Sequence, residues 1–266
     1  MLLRSTLNKG AKLKRSIFKP LQACYLSESS ADTGEARQQL YPGHIQTSSF
    51  QKLLLTSLSS VIAITDPTRD DMICAMGEAS GSFALSRIRQ RMLRDSEGRQ
   101  ILLDKPVISK ETVDLDYLSK LHETSLGKAY WNFLQINGFD PDARRPVNFV
   151  DDVELAYVML RYRQLHDLTH TILGMKPNML GEVAVKWFEA IQTGLPMCVS
   201  AAIAGPIRLG PKHGQLWRRQ LWSWSVKNGY SCKPLMNFYV EKHWETPISE
   251  LRDHLGLTAP PCNNFM

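Results

Sequence analysis

The chain has 266 residues, of which 43% are hydrophobic and 22% are charged. This composition is typical of globular proteins and excludes a fully disordered or collagen-like chain. The formal net charge is +6, but residues 1–27 hold six Lys and Arg residues and no acid, and the rest of the chain carries 26 basic and 26 acidic side chains. Because the remainder is balanced, it is not expected to bind nucleic acid as a polycation.

The first 27 residues combine basic and hydroxyl side chains with scattered apolar residues. They lack the continuous apolar run of a secretory signal, and the pattern predicts a mitochondrial transit peptide. A disordered basic tail is the alternative interpretation. Residues 28–40 are polar and are interpreted as a linker. Residues 41–266 are predicted to form one helical domain.

From Tyr41 onward the apolar residues recur mostly with the helical period, which predicts an all-α fold. Residues 235–240 are the one serious candidate for a strand. Capping residues, glycines and prolines place the ends of the predicted helices. These helices run from Ser48 or Ser49 to about Ile64, from Ser80 or Ser82 to near Gly98, from Ser125 to Asn137, from Asp151 or Asp152 to Gly174, from Asn178 to Gly194, over 213–227, and from Thr246 and Pro247 to Gly256.

The most informative motif is His166-Asp167-Leu168-Thr169-His170, which Glu182 follows after eleven residues. Residues four apart share one helix face, so His166 and His170 are expected to lie one turn apart, with Asp167 at the edge of that face. The connection over 174–178 is short, and helices joined so briefly normally run antiparallel. This hairpin is predicted to bring Glu182 opposite His170.

Both helices of the predicted hairpin are largely apolar around the motif, and a carboxylate buried there is costly unless it is paired. A divalent cation removes that cost. Imidazole and carboxylate ligands suit zinc first, with iron or manganese as alternatives. Binding by all four side chains, His166, Asp167, His170 and Glu182, would complete a structural zinc site. A site in which Asp167 or Glu182 does not touch the metal would keep one position open for water or substrate.

Three other interpretations of the motif are weaker. A pair of core histidines bonded to nearby acids needs no metal. A zinc protease would place Glu where Asp167 stands, and no third ligand follows at the required spacing. A phosphohydrolase that uses adjacent His and Asp needs more histidines upstream than His44 and His122.

Several further residues have two interpretations each. Glu189 is expected either to support His166 from behind or to be solvated. Three tryptophans, Trp217, Trp222 and Trp224, are expected at a membrane or partner surface, with core packing for at least one of them. The apolar, proline-bent segment 194–210 is expected to wall a groove for a long apolar ligand or to be a buried helix. Charges on the long helix that could line an anion pocket are Glu154, Arg161 and Arg163.

The run HDLTHTILGMKPNMLGEVAVKWFEAIQTGLPM over residues 166–197 strongly resembles the family of coenzyme Q (ubiquinone) biosynthesis protein 4. Upstream FVDDVELAYVMLRYRQ and downstream GPIRLG, NGY and FYVEKHWE resemble it as well. The resemblance covers roughly residues 41–260, and the HDxxH-x11-E pattern is intact.

The resemblance implies an all-helical protein that binds zinc through this motif on the matrix side of the mitochondrial inner membrane. It implies a peripheral membrane protein in an assembly with other ubiquinone-biosynthesis enzymes, and it leaves a homodimer open. The implied activity is that of a carboxy-lyase. It removes the ring carboxylate of a 4-hydroxy-3-methoxy-5-polyprenylbenzoate to give a 2-methoxy-6-polyprenylphenol. Our hypothesis for the mechanism is that a nearby acid, Glu182 or Asp167, protonates the ring carbon that loses carbon dioxide.

Two points are left open by the resemblance. The carboxylate is either lost alone or exchanged for hydroxyl. An older view makes such proteins scaffolds that bind prenyl lipid and organise the other enzymes without catalysis. The polyprenyl tail needs a long apolar groove, for which residues 194–210 and the helix over 53–64 are the candidates.

Overall fold

The structure is a computed structural model that describes residues 39–66 and 69–261. Over these residues the chain forms α-helices joined by short loops and 3₁₀ turns, with no strand, and the predicted all-α fold class is confirmed. The helices are α1 Ser49–Thr65, α2 Asp70–Ser80, α3 Ser82–Arg94, α4 Ser96–Asp104, α5 Leu115–Ser119, α6 Leu126–Asn137, α7 Val153–Leu173, α8 Met179–Thr193, α9 Pro196–Ala204, α10 Pro211–Leu216, α11 Trp222–Ser231 and α12 Ile248–Leu255.

Helix α7 lies at the centre of the molecule. Of its 21 residues, 16 are buried, because α3, α6 and α8 pack around it. A helix that is enclosed on all sides must be apolar around its circumference or must pair the polar groups that it buries. Arg161 follows this rule, since Nη1 and Nη2 contact the two oxygens of Glu241 at 2.5 and 2.9 Å. The central helix thus carries ionic groups into the core.

The predicted ends of the longest helices are confirmed. The side chains of Ser48, Ser125 and Asp152 each accept a hydrogen bond from the first turn of α1, α6 and α7. Gly138 and Gly174 end α6 and α7 in the left-handed conformation, with φ of 65° and 69°. A residue with a Cβ would be strained there. The Trp-rich stretch is helical as predicted, and a π turn over Trp217–Leu221 joins α10 to α11.

The helix predicted from Ser80 or Ser82 is observed as α3, but Gly98 is not the residue that ends it. Helix α3 ends at Arg94, and the Oδ1 atom of Asp95 accepts the NH of Gly98 at 2.8 Å to begin α4. Gly98 is therefore a first-turn residue of α4. A Cβ there would lie 2.5 Å from the carbonyl oxygen of Met92, so this glycine permits the close turn between the two helices.

The predicted strand over 235–240 was also wrong. The segment forms 3₁₀ turns at Leu235–Asn237 and Val240–Lys242, and all six of its side chains are buried. Its apolar run reflects burial on every side, because the segment passes through the core and the described part of the chain holds no strand to pair with it. The last helix begins at Ile248, with Pro247 as its N-cap, one residue later than predicted. Short α2 and α5 were not predicted.

No helix in the described part of the chain is both long and apolar enough to cross a lipid bilayer. The predicted transit peptide over 1–27 lies outside the described residues, as does nearly all of the predicted linker over 28–40.

Candidate metal centre

The connection between α7 and α8 is a tight turn that both of its ends stabilise. Past Gly174, the NH of Met175 donates to the carbonyl of His170 at 2.9 Å. Asn178 caps α8, since its Oδ1 accepts the NH of Gly181 at 2.9 Å. A Cβ on Gly181 would lie 2.0 Å from the carbonyl oxygen of Lys176. The turn therefore depends on glycine at this position, and it places the first turn of α8 beside the last turns of α7.

Two histidines of α7 and one glutamate of α8 converge across this turn. Nε2 of His170 lies 3.2 Å from Oε1 of Glu182, and Nε2 of His166 lies 3.6 Å from Oε2. One nitrogen from each histidine and one carboxylate oxygen all lie within 4.8 Å of one another, the one such group found among the described residues. The predicted meeting of Glu182 with His170 is thus observed.

Nδ1 of each histidine already makes a hydrogen bond, and this orients each ring so that its Nε2 atom points toward Glu182. Nδ1 of His170 lies 3.0 Å from the carbonyl oxygen of Met175, and this oxygen only accepts, so Nδ1 donates. Nδ1 of His166 lies 2.7 Å from Oε1 of Glu189. The Nε2 atoms therefore face Glu182. Nε2 of His170 is buried and makes no hydrogen bond, an uncommon state for a buried polar atom.

Glu189 is buried and contacts His166, so it supports this histidine from behind and is not solvated. Its Oε2 accepts hydrogen bonds from the Tyr162 hydroxyl and the Lys186 ammonium, both at 2.8 Å. Sequence reasoning missed Tyr162 and Lys186. The signal for Lys186 was a lysine within the apolar run VAVKWF, since a charge on a buried face needs a partner.

The carboxylates of the centre are ionised. Burial opposes the charge of Glu182, but contacts with His166 and His170 outweigh it and hold its pKa well below the usual range. Burial also opposes the charge of Glu189, but Lys186 and His166 outweigh it and lower the pKa of this carboxyl group. For His166, burial and the Lys186 charge oppose protonation, and Glu189 and Glu182 still raise its pKa to about 9. The site is therefore arranged to hold positive charge.

Asp167 lies outside the converging group. Its Oδ2 contacts Nη2 of Arg144, which reaches α7 from the loop after the 3₁₀ turn Pro141–Ala143. The structure thus brings together three of the four predicted ligands, His166, His170 and Glu182. The fourth is held in an ion pair at the edge of the site. Arg144 was not singled out by the sequence.

The residues present fit a divalent metal ion. Two imidazoles, which give up any Nε2 proton when a metal binds, and a carboxylate are a donor set that suits zinc, and three protein ligands leave a fourth position for water or substrate. Metal-bound histidines usually donate their other ring NH to a carboxylate or a backbone carbonyl. Glu189 and the Met175 carbonyl occupy these places. The unbonded Nε2 of His170 is the atom that such an ion would satisfy.

A cavity of about 460 Å³ lies at the other end of α8. Apolar side chains dominate its wall. The segment 194–210, predicted as one candidate wall of a tail groove, contributes residues from 194–203. The other candidate, the helix over 53–64, supplies none of the described lining. The lining includes Arg87, Trp187, Ile191, Val199, Ile203 and Tyr230. Ile191 lies nine residues beyond Glu182, about 13 Å along the helix axis.

The other charged residues singled out in the sequence do not converge. Glu154 pairs with Arg89, Arg161 with Glu241, and Arg163 with Glu78, so they form no common anion pocket. Among the tryptophans, Trp217 and Trp224 are buried and Trp222 is about half exposed. Core packing is confirmed for two of the three.

A known protein family and several known proteins are similar to this chain. The sequence profile of a family described as Coenzyme Q (ubiquinone) biosynthesis protein Coq4 matches residues 41–261. Proteins of Bos taurus and Homo sapiens, both named ubiquinone biosynthesis protein COQ4 homolog, mitochondrial, are 50% identical over 222 and 224 residues, with 84% of each chain covered. An Aedes aegypti protein of the same name is 42% identical over 272 residues, which span 96% of this chain and 98% of that one.

The fold has a solved counterpart. A crystal structure of a Nostoc punctiforme PCC 73102 protein named for ubiquinone biosynthesis is similar, with a TM-score of 0.63 over 78% of this chain and 99% of that one. The two sequences are 19% identical, so this likeness concerns the fold alone.

Proposed function

The chain belongs to the Coq4 family of coenzyme Q (ubiquinone) biosynthesis proteins, and from that premise we propose that it is a metal-dependent carboxy-lyase. The proposed reaction converts a 4-hydroxy-3-methoxy-5-polyprenylbenzoate to a 2-methoxy-6-polyprenylphenol with release of carbon dioxide. The observation that carries the proposal is the convergence of His166, His170 and Glu182 around the unbonded Nε2 of His170.

In this proposal His166, His170 and Glu182 hold the metal, with zinc as the expected ion. When bound, such an ion supplies Lewis-acid polarisation of an oxygen next to the reacting carbon. Glu189 holds His166 in the tautomer that presents Nε2, because the 2.7 Å contact engages Nδ1. Lys186 in turn neutralises the buried charge of Glu189.

Asp167 is assigned to proton transfer. It follows His166 on the same helix and lies outside the ligand group, so its carboxyl group is free of the ligand role given to Glu182. The para-hydroxyl of the substrate feeds electron density into the ring and favours protonation at the carbon that bears the carboxylate. Asp167 takes up a proton from solvent and delivers it to this carbon. The bond to the carboxylate carbon then breaks, its electron pair restores the aromatic ring, and carbon dioxide leaves.

The apolar cavity along α8 and α9 is proposed to take the first part of the polyprenyl tail. Its wall of Trp187, Ile191, Val199 and Ile203 suits hydrocarbon. Its nearest lining residue on α8 is Trp187, five residues and about 7.5 Å along the helix axis from Glu182, and the tail would extend along α8 from a ring at the metal centre.

We also propose that the chain is a peripheral protein on the matrix side of the mitochondrial inner membrane. Relatives from Bos taurus and Homo sapiens are named mitochondrial. Residues 190–240 contain no Asp or Glu and six Lys and Arg residues. Within this stretch Ile203, Ile207 and Tyr230 are exposed by 65%, 84% and 78%. Exposed apolar side chains among cations suit an anionic lipid surface.

Reversing charge in this stretch should weaken membrane binding. A variant with Arg218→Glu and Arg219→Glu is expected to bind vesicles of phosphatidylcholine and cardiolipin at least about tenfold more weakly, since each basic residue near such a surface contributes about 1 kcal/mol. Co-sedimentation measures the binding. The matched control is Arg99→Glu with Lys120→Glu, an exposed residue of α4 and the exposed residue that follows α5. Equal weakening in both variants would contradict this membrane face.

A non-catalytic scaffold is the second candidate function, and the surface of α1 favours it. Phe50, Leu53, Leu58 and Val61 are each more than 60% exposed, and Lys52 is the one charged residue of this helix. Such a face suits contact with other enzymes of ubiquinone biosynthesis. Turnover of a short-tailed substrate by the purified, zinc-loaded chain decides between the two functions. Metal binding without product would favour the scaffold.

A further inference from the structure

A guanidinium contacts the residue that follows the first histidine of the candidate metal centre. Arg144 contacts Asp167, the residue after His166, through Nη2 and Oδ2. The Arg144 side chain is 28% exposed and that of Asp167 is 10% exposed, so the guanidinium is the more accessible partner of this ion pair. Burial opposes its charge, but Asp167 outweighs this and raises the pKa of Arg144. Arg144 is therefore a partly exposed cation in contact with Asp167.

The loop that follows Arg144 is held by a buried ion pair. Arg163 of α7 contacts Glu78 of α2, and their side chains are 5% and 2% exposed. Arg163 also donates to the carbonyls of residues 145 and 146, at 3.2 and 3.3 Å. Glu78 accepts the backbone NH groups of residues 148 and 149, at 2.7 and 2.8 Å. The backbone after Arg144 is thus fixed from the core, which gives the guanidinium a rigid support.

The other cation next to the centre is already engaged. Nζ of Lys186 donates to Glu189 at 2.8 Å and to the Tyr162 hydroxyl at 3.3 Å. It lies on the Nδ1 side of His166, away from the face on which Nε2 meets Glu182. Lys186 is therefore committed to Glu189 and Tyr162. Arg144 contacts Asp167 with one of its nitrogens and has further NH donors that could bind a ligand.

We propose that Arg144 binds the carboxylate of the substrate while it keeps its contact with Asp167. The inference rests on the proposed function and deepens it. A guanidinium is a planar group with five NH donors, which lets it contact two carboxylates at once and bind one of them through two parallel hydrogen bonds. Because Arg144 contacts the residue assigned to proton transfer, the ring carbon that bears the carboxylate is brought next to Asp167.

Direct binding separates this role from a structural one. The probes are 4-hydroxy-3-methoxy-5-geranylbenzoate and 2-methoxy-6-geranylphenol, which differ only in the carboxylate. Titration calorimetry on the zinc-loaded full chain measures both. Arg144→Met should bind the benzoate about 10- to 100-fold more weakly, the loss of charge-assisted hydrogen bonds, and bind the phenol as the wild type does. Arg144→Lys should lie between, since lysine keeps the charge without the planar donors.

Arg145→Met is the matched control, since it removes a neighbouring cation of the same loop and leaves the contact with Asp167 in place. It should bind both ligands normally. Metal content measured on every sample shows whether zinc is retained. An Arg144→Met variant that retains zinc and binds the benzoate normally, or that loses both ligands equally, would overturn the inference alone. A wild type that binds neither ligand would refute the proposed function itself.

Discussion

Replacing Asp167 with Asn is expected to lower turnover by about 100- to 10,000-fold, the usual contribution of a positioned acid or base. Asn is nearly isosteric and can still accept a hydrogen bond from Arg144, but it carries no proton to transfer. The converging group of His166, His170 and Glu182 does not include Asp167. The metal content of Asp167→Asn should therefore match that of the wild type.

Glu182→Gln is the comparison variant, because it separates loss of the metal from loss of the acid. Glu182 contacts both histidines, so its neutral replacement should lose metal and turnover together. Metal content by mass spectrometry and product formation from the short-tailed benzoate are the two measurements. If Asp167→Asn lost its metal and Glu182→Gln kept it, the two roles would be exchanged. Unchanged turnover in Asp167→Asn would exclude Asp167 as the acid.

Replacing Glu189 with Gln should have the largest effect on stability. Gln can keep hydrogen bonds to Tyr162 and His166, but it leaves the Lys186 ammonium without its counter-charge in the core. Removing one partner of a buried ion pair typically costs about 3–5 kcal/mol. Denaturant unfolding of the metal-free chain measures that loss in the free energy of unfolding. Metal affinity should also fall about 10- to 100-fold, because His166 loses the carboxylate that orients it.

Glu154→Gln serves as the control for this prediction. Glu154 also pairs with a cation, Arg89, but both side chains are about one-third exposed. Exposed ion pairs contribute about 0–1 kcal/mol, so this variant should unfold nearly as the wild type does. Similar free energies of unfolding for Glu189→Gln and Glu154→Gln would contradict the buried ionic network around His166.

The long helices and the meeting of Glu182 with His170 were predictable from the sequence because both depend on local rules. Helical periodicity places His166 and His170 on one face, and a five-residue connection between capped helices leaves little freedom in how α8 folds back. Gly174 and Asn178 end and begin the two helices where their residue types indicate. Local chemistry thus determines most of the centre.

The remaining features depend on contacts between residues distant in the chain, which periodicity does not show. Arg144 meets Asp167 only because Glu78 and Arg163, far apart in sequence, hold the intervening loop. The segment over 235–240 has the residue types of a strand, but it crosses the core, and residues 39–66 and 69–261 contain no strand with which it could pair. A 3.6-residue period likewise cannot separate a solvated Glu189 from one that bonds His166.

Loss of the carboxylate alone and its exchange for hydroxyl differ in their requirements. The first replaces the carboxylate by a proton, which Asp167 is assigned to deliver. The second requires dioxygen and two electrons, and its product carries one oxygen atom from dioxygen. Mass spectrometry of the product formed under isotopically labelled dioxygen distinguishes them. A product without label is the result expected from proton transfer.

The central claim is that His166, His170 and Glu182 hold a divalent metal ion, and metal content tests it most directly. Mass spectrometry of the purified chain should find close to one zinc per chain, and His170→Ala should lose it while circular dichroism shows that the variant stays helical. A folded, helical wild type that binds no divalent metal, even after dialysis against zinc, would contradict the claim. The histidines would then be core residues, and the scaffold function would be favoured.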